Sequence, residues 1–346
     1  MKYAALALAL LASPSTAHEL SDDIADCGCT SACFTDEVSN VGCSGGELRF
    51  SARGFPDTSH SMMTGISRTN QQFPITHNYT FRIRQNPAFT GAATPTVPGA
   101  VGVAVNGIPI FDPGTQGPID ASTGKPPNTY YECELDACGG HAGRGDDYHY
   151  HIAPVCLIEE LGRQAIEVNK QPIGFAADGF PILALGWFDR SASLEGKLDE
   201  CRGARDASGD YFYNVSASEP YEVLDCYNGQ ARGFSQDRWD QRKNAAGEDI
   251  VGVPIGFTIR EYARGKVGND ICHRMTGTLT SAQVQGVGRV KNVAGSIFHC
   301  SSSCYGQFIE VEGSRPKALI YERALSGCAS GIRALNGNAF LNYPPQ

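Results

Sequence analysis

Cys138 and Cys201 open two stretches of this 346-residue chain that are written on one template. "CGGHAGRGDDYHY" aligns without a gap to "CRGARDASGDYFY". The cysteine, the glycine two residues on (Gly140, Gly203), an aspartate (Asp147, Asp210) and two tyrosines (Tyr148 and Tyr150; Tyr211 and Tyr213) coincide. Upstream of each lies a second shared element, "VNGIPIF" at 105–111 and "ADGFPIL" at 177–183, with a fainter echo in "RGFPD" at 53–57. Each holds a Gly-x-Pro turn, and the two better copies continue into a short apolar strand. Downstream, each copy runs on to another cysteine, Cys156 and Cys226. Self-similarity of this kind means a duplicated unit, and short apolar or aromatic runs between turn residues make that unit β. The expected fold is mainly β: a duplicated, sandwich-like, disulfide-rich β-unit with few short helices. Forty glycines and nineteen prolines point the same way, toward many strands joined by turns.

The copies differ where chemistry is concentrated. His141, His149 and His151 face Ala204, Phe212 and Asn214, so three of the chain's eight histidines are present in one copy and absent together from the other. Ligands of one ion come and go as a set, because a partial site loses most of its affinity; histidines that merely pack a scaffold have no such reason. "DYHYHIA" is aromatic and bounded by "GRGD" and a proline, which favours a strand. In a strand, residues two apart share a face, so His149 and His151 project together while Tyr148 and Tyr150 turn away. A glycine-rich connection (Gly143, Gly145) brings His141 back toward them. Three imidazoles suit zinc or copper with a position left open. The competing reading is a histidine–tyrosine strand whose hydrogen bonds are satisfied within the protein.

Residues 1–17, "MKYAALALALLASPSTA", read as a secretory signal: Lys2, an apolar run over 4–12, and small residues before the cleavage point. That run is too short to span a bilayer, and no later stretch is long enough. The expected location is secreted or extracellular. With 28 Lys+Arg against 37 Asp+Glu, the net charge is −9, and no basic tract occurs, so nucleic acid is not an expected partner. Thirteen cysteines in an exported chain imply disulfides with one thiol left over. Even groups lie near each end, at Cys27, Cys29, Cys33 and Cys43 and at Cys272, Cys300, Cys304 and Cys328. In the middle, Cys138, Cys156, Cys201 and Cys226 are candidates to close each copy, leaving Cys133 odd. Clusters such as Cys27-x-Cys29 are alternatively zinc ligands. Asn78 and Asn214 head glycosylation sequons. The expected division is a signal over 1–17, a Cys-rich segment over 18–46, the repeated domain over 47–233, and a disulfide-pinned extension over 234–346. Within that extension "DRWDQRKNAAGEDI" is expected to be a short helix, and "GVPIGFTIREYA" and "SCYGQFIEVEG" strands.

With these residues in hand, the chain resembles the YHYH-domain family, named for the tetrad found here as Tyr148-His149-Tyr150-His151. "GVAVNGIPIFDPG", "HAGRGDDYHYH", "GFAADGFPI", "LDECRGA" and "PYEVLDCYNG" look like family segments in family order, and the resemblance covers roughly 48–233. The family is secreted and largely uncharacterised, so the resemblance implies a domain more than an activity. Relatives often carry a histidine directly after a "GIPD"-like turn; here "GFPDTSH" sets His60 two residues late, as a weaker ligand candidate. Relatives often read Tyr-His-Tyr in the second repeat, where this chain has Phe212. Asp178 matches the family's acidic turn residue and is a candidate partner for a ligand histidine or a cap of its own turn.

His18 would head the mature chain, where an amino group and an imidazole on one residue can chelate copper; it is the other weaker metal candidate. Asp147, with Asp146, adjoins the proposed ligands as a candidate base, an exposed acidic turn being equally consistent. The Arg-Gly-Asp at 144–146 is a three-residue match of the sort common by chance. His273 and His299 adjoin cysteines without a partner at ligand spacing, and the chain holds no phosphate-binding glycine loop. The leading expectation is a secreted metal-binding protein, holding a zinc or copper ion through His141, His149 and His151. Its ion would be structural or catalytic, the latter by metal-activated water, with Asp178 or Asp147 orienting it, or by copper redox chemistry. The alternative is a non-enzymatic extracellular wall, matrix or recognition protein on a disulfide-braced β scaffold, partnered by an extracellular polymer or cell-surface component.

Overall fold

The computed structural model describes residues 20, 23–56, 62–69, 74, 76–115, 119–143, 147–234, 255–267, 270–284, 288–300, 304–309 and 317–319. The fold is mainly β. Its N-terminal part holds β1 (Val38–Ser44), β2 (Glu47–Ala52), the two-residue β3 (Arg68–Thr69), β4 (Tyr79–Arg84) and β5 (Phe89–Pro95). β1, β2 and β4 form one antiparallel sheet. Burial alternates along β2 and β4, as the pleat requires of a sheet with one wet face. Leu48, Phe50, Phe81 and Ile83 make up the dry face.

The first copy of the repeat supplies β6 (Ala100–Ala104), β7 (Pro109–Phe111), β8 (Gly140–Ala142) and β9 (Tyr148–Tyr150); the helix α1 (Val155–Arg163) follows. The second supplies β10 (Gly174–Ala176), β11 (Pro181–Leu183), β12 (Gly203–Arg205) and β13 (Tyr211–Asn214). All eight strands join in one sheet of order β12-β13-β11-β10-β6-β7-β9-β8. Each half has the same plan. Its first two strands form a hairpin, the second pairs in parallel with the fourth, and the fourth pairs antiparallel with the third. The halves meet where β6 pairs antiparallel with β10, so the order reads the same outward from that seam. The internal repeat is thus a half-sheet used twice.

The same polar pegs lock both halves. Asp136 Oδ1 accepts the backbone N–H groups of Cys138 (2.9 Å) and Gly140 (3.1 Å), and its Oδ2 accepts Tyr148 Oη (2.9 Å). Asp199 does the same for Cys201 (2.9 Å), Gly203 (2.8 Å) and Tyr211 Oη (2.8 Å). The other tyrosine of each pair reaches back to the Gly-x-Pro element. Asn106 Nδ2 donates to Tyr150 Oη at 3.0 Å, and Tyr213 Oη donates to Asp178 Oδ2 at 2.6 Å. The aligned glycines make room: a Cβ on Gly140 would lie 2.7 Å from Tyr148 Oη, and one on Gly203 only 1.6 Å from Tyr211 Oη. Buried polar groups require such partners, since each left bare costs about 1–3 kcal/mol.

The sheets stack on one core in which Val103, Val105, Ile108, Ile110, Ile173 and Ile182 are fully buried. Phe34 bridges the layers, its ring 4.7 Å from Phe50 and 6.0 Å from Phe175. Gly107 approaches Ala52 so closely that a Cβ there would sit 2.1 Å from the alanine methyl. β14 (Cys226–Gly229) pairs with β5.

β15 (Ile255–Val267), β16 (Asp270–Val284), β17 (Gly288–Val290), β18 (Val293–Cys300), β19 (Cys304–Ile309) and β20 (Lys317–Leu319) form an antiparallel sheet. It joins the rest through β3, through reciprocal backbone bonds of Ile259 with Gly65 and Ile66, and through the buried Phe257, Ile259 and Met275. The two strands expected there are present as parts of β15 and β19, whereas the helix expected at 237–250 lies outside the described residues.

Four disulfides are formed: Cys27–Cys33, Cys29–Cys43, Cys138–Cys156 and Cys201–Cys226. Each half-sheet is closed by its own bridge, and Cys133 is free and exposed. Cys27 and Cys29 are therefore cross-linked rather than zinc ligands. Strand register sets Cys272 opposite Cys300, while the side chains of the C-terminal cysteines lie outside the description.

Candidate metal centre

β8 and β9 place the three histidines. Register pairs His141 directly with His149 across the hairpin, and His151 follows on the same face two residues on, as the pleat dictates. Tyr148 and Tyr150 occupy the opposite, core face. The turn is closed by Gly143 N–H donating to the Asp147 carbonyl at 2.8 Å. The parallel pairing of Ile110 with Tyr150 lays the end of β7 beside the ligands. Phe111 stacks on His149 with ring centres 3.9 Å apart and meets His151 edge-on.

The three Nε2 atoms converge. They are 3.1 Å apart for His141–His149, 3.1 Å for His149–His151 and 3.2 Å for His151–His141. These are not hydrogen bonds, and the outward-facing nitrogens show why. His149 Nδ1 lies 3.0 Å from the Asp147 carbonyl and 3.2 Å from the Asp147 carboxylate. His151 Nδ1 lies 2.6 Å from the Asp112 carbonyl. His141 bonds the Glu134 backbone, which falls to its Nδ1 because Nε2 faces the other rings. Oxygens of this kind only accept, so each Nδ1 carries the proton and each neutral ring presents a bare Nε2 lone pair inward. Three lone pairs aimed at one another repel unless a cation sits among them. This division of labour, one nitrogen anchored to a carbonyl or carboxylate and the other to an ion, is the usual one for metal-binding histidine.

The size fits as well. The centre of this triangle is about 1.8 Å from each nitrogen, close to the ~2.0–2.1 Å of Zn–N bonds, so the three rings could hold one ion together. Among the described residues, these three are the one group of histidine, cysteine or carboxylate side chains with ligand atoms close enough to share an ion.

Electrostatics keep His141 and His151 neutral. Burial, then the charges of His149 and His151, hold His141 well below the usual histidine range. Burial, then His149, pushes His151 down to about 3. His151 is 6% exposed, so protonation there would put a charge in the protein interior.

In the second half, the equivalent space is plugged. Ala204 and Phe212 pack with Leu183, Leu185 and Leu194 in an apolar cluster. Asn214 gives its whole amide to backbone, accepting from Leu185 N–H and donating to the carbonyls of Leu185 and Val215. This corrects the expectation of glycosylation at Asn214, which is 2% exposed with no free amide hydrogen. Asn78 is exposed. Of the two roles expected for Asp178, the structure has the cap of its own turn and not the partner of a ligand histidine. It accepts from Tyr213 Oη and from the N–H groups of Gly229 and Phe180 in the second half, as the counterpart of Asn106 rather than a partner of a ligand. Asp147 does adjoin the ligands, but at Nδ1 of His149, on the far side of the ring from the converging atoms. It orients the imidazole. His18, His60 and Arg144–Asp146 lie outside the described residues, and His273 is engaged with Tyr262 Oη at 2.6 Å.

Sequence reading missed Asp136, Asp199, Asn106, Phe111 and the Asp112 carbonyl. The first two were within reach, because "LDAC" and "LDEC" extend the alignment two residues upstream of each cysteine.

Residues 80–192 match the family model described as YHYH protein. The match takes in the whole first half-sheet with its histidines and the first hairpin of the second; the motif resemblance had suggested a longer span, roughly 48–233. No curated protein and no solved structure matches the chain.

Proposed function

We propose that this is a secreted metal-binding protein that holds one zinc or copper ion through Nε2 of His141, His149 and His151. One observation carries the reading: three imidazoles, two buried and one half-buried, each with its Nδ1 turned to a backbone carbonyl, aim their Nε2 atoms at a single point. All-nitrogen ligation suits zinc and copper above calcium or magnesium, which take oxygen. Three protein ligands leave the fourth position of a tetrahedral ion to a water or a substrate atom, the arrangement of catalytic rather than closed structural zinc sites. When bound, zinc would supply Lewis acidity and copper redox chemistry. The protein itself anchors the three rings, covers one of them with Phe111 and leaves Asp147 to fix a tautomer. Secretion is supported by the leader-like residues 1–17 and the four disulfides, and no helix among the described residues is long and apolar enough to cross a membrane.

Elemental analysis of protein purified without an affinity tag tests the reading. Close to one equivalent of zinc or copper is expected, and none in His149→Ala/His151→Ala that keeps the melting behaviour of chelated wild type. Protein that takes up no metal at any loading, with stability indifferent to chelator, overturns it and leaves the non-enzymatic matrix or recognition protein as the better description.

A further inference from the structure

A second site lies in the other half of the molecule. A cleft of about 510 Å³ runs between the Cys-rich segment at Ile24–Gly28, the end of β4 and the turns of the second half-sheet. That volume falls within the ~300–1,000 Å³ of small-ligand clefts. Leu48, Ile83 and Phe175 contribute buried apolar side chains to its lining. Its wall is an aromatic cluster in which Phe89 lies 5.0 Å from Phe180 and 5.1 Å from Tyr211.

Phe89 is out of character for an interior cluster, because 47% of it stays exposed. It is held in place all the same. The guanidinium of Arg205 stands 4.7 Å over its ring and 5.7 Å from that of Tyr211, while one Arg205 nitrogen donates to the Gly209 carbonyl at 2.7 Å. A cation fixed over an aromatic face stiffens both groups. Phe89 is thus braced by Phe180, Tyr211 and Arg205 while nearly half of it stays open to a ligand. Around it, Asp26, Arg84, Asn86 and Asp210 present charged and amide groups. Two arginines against two aspartates leave the rim balanced, which favours neither a polyanion nor a polycation.

We infer that this cleft binds a neutral carbohydrate chain. A pyranose ring has an apolar face that stacks on an aromatic ring and an edge of hydroxyls that both donate and accept. The cleft offers the complement of each, in a fixed platform and a charge-balanced fringe of donors and acceptors. A peptide bound by its backbone would need a run of free strand edge. This cleft takes no more than two residues from any one strand, Ile83 and Arg84 of β4 and single residues such as Phe89 of β5 and Arg205 of β12, so the sugar fits better.

Isothermal titration of the intact protein, with chelator present throughout, tests the inference independently of the histidine site. The probes are the neutral hexasaccharides of β-linked glucose, N-acetylglucosamine and xylose. Saturable binding of at least one is expected, weakened ten-fold or more by Phe89→Ala and by Arg205→Ala and retained by Phe89→Trp. The His149→Ala/His151→Ala protein should bind as wild type does. Absence of saturable binding for all three sugars overturns the inference. So does sugar binding that Phe89→Ala leaves unchanged, or an extended peptide competing for the cleft more tightly than any sugar.

Discussion

Gly143 offers a test of whether the protein scaffold, and not the ion, holds the histidine rings in place. Its φ lies outside the left-handed region, so alanine is permitted by the backbone there; the obstacle is the site itself. An alanine Cβ would stand 2.6 Å from Cε1 of His149 and 2.8 Å from Oδ1 of Asp147. Ordinary contact begins near 3.4 Å, so the ring has to retreat by about 0.8 Å, although Phe111 already packs on it with ring centres 3.9 Å apart. Metal–ligand bonds tolerate about 0.2 Å. The displacement is several times that tolerance, and it acts on the imidazole through its anchoring side. Disturbing an anchored ligand in this way weakens metal binding by roughly 10–100-fold, or about 1.4–2.7 kcal/mol. Competition against a chromophoric chelator reads this directly. The melting temperature in excess chelator should move little, because the methyl meets only the ligand and its anchor. Gly143→Ala binding zinc or copper as tightly as wild type would mean that the turn yields freely, and that the rings are not preset by the chain.

Three further outcomes follow from the same geometry. The Cys138–Cys156 bridge encloses all three ligands in a loop of 18-residue separation, and loop-closure entropy for such a loop is about 3 kcal/mol; Cys138→Ala/Cys156→Ala should lose roughly that in denaturant unfolding and bind metal more weakly. Acid should destabilise the chelated protein. His141 and His151 have depressed pKa values, so their contribution is present above about pH 6.5 and fades as pH falls toward about 3. Asp136, raised to about 6 mainly by burial, acts oppositely, contributing most below pH 3.8 and losing that as pH rises through 6. Two histidines against one aspartate leave a net loss of up to about 1.4 kcal/mol per pH unit on acidification; unfolding free energies at pH 7 and 5 that agree would contradict this. Finally, installing the other half's residues, as His141→Ala/His149→Phe/His151→Asn, should abolish metal uptake. It should also raise stability in chelator by about 1–3 kcal/mol, since bare buried lone pairs are removed.

What could be read from the sequence was whatever the duplication or the strand period encodes locally. Tyr-His-Tyr-His alternates, so its faces were legible, and the gapless alignment marked which cysteines close which half. The scaffold's long-range partners were not. Asn106 meets Tyr150 across 44 residues, and the carbonyl that fixes His151 belongs to Asp112, 39 residues away. Both depend on the parallel pairing of β7 with β9, which no pattern of side chains announces. That the sequence left two roles open for Asp178 has the same root. Its place in the Gly-x-Pro element pairs it with the tyrosine of its own half, and only strand order shows that this half is the one without histidines. Asn214 satisfies a three-residue acceptor pattern but sits where the other half keeps His151, a buried position in either copy.

The two halves can be treated as one scaffold observed under two fillings. Cysteine, glycine, aspartate and both tyrosines keep their partners in each, so they answer to folding. The positions that change are those whose side chains enter the space beneath the hairpin. In one half that space is packed with Ala204, Phe212 and leucines, which asks for nothing further. In the other it holds three imidazoles whose inward nitrogens have no proton to share. Histidine is the worse filling unless something else is to be put there, and the protein has built a separate acceptor for the outer nitrogen of every ring. The scaffold would be stable without that provision, as its twin demonstrates. The Asp147 carbonyl also closes the turn, as that of Asp210 does in the twin, but only in this half do Asp147, Asp112 and Glu134 meet rings whose other nitrogens converge, and it is this asymmetry between equivalent positions that argues for an ion.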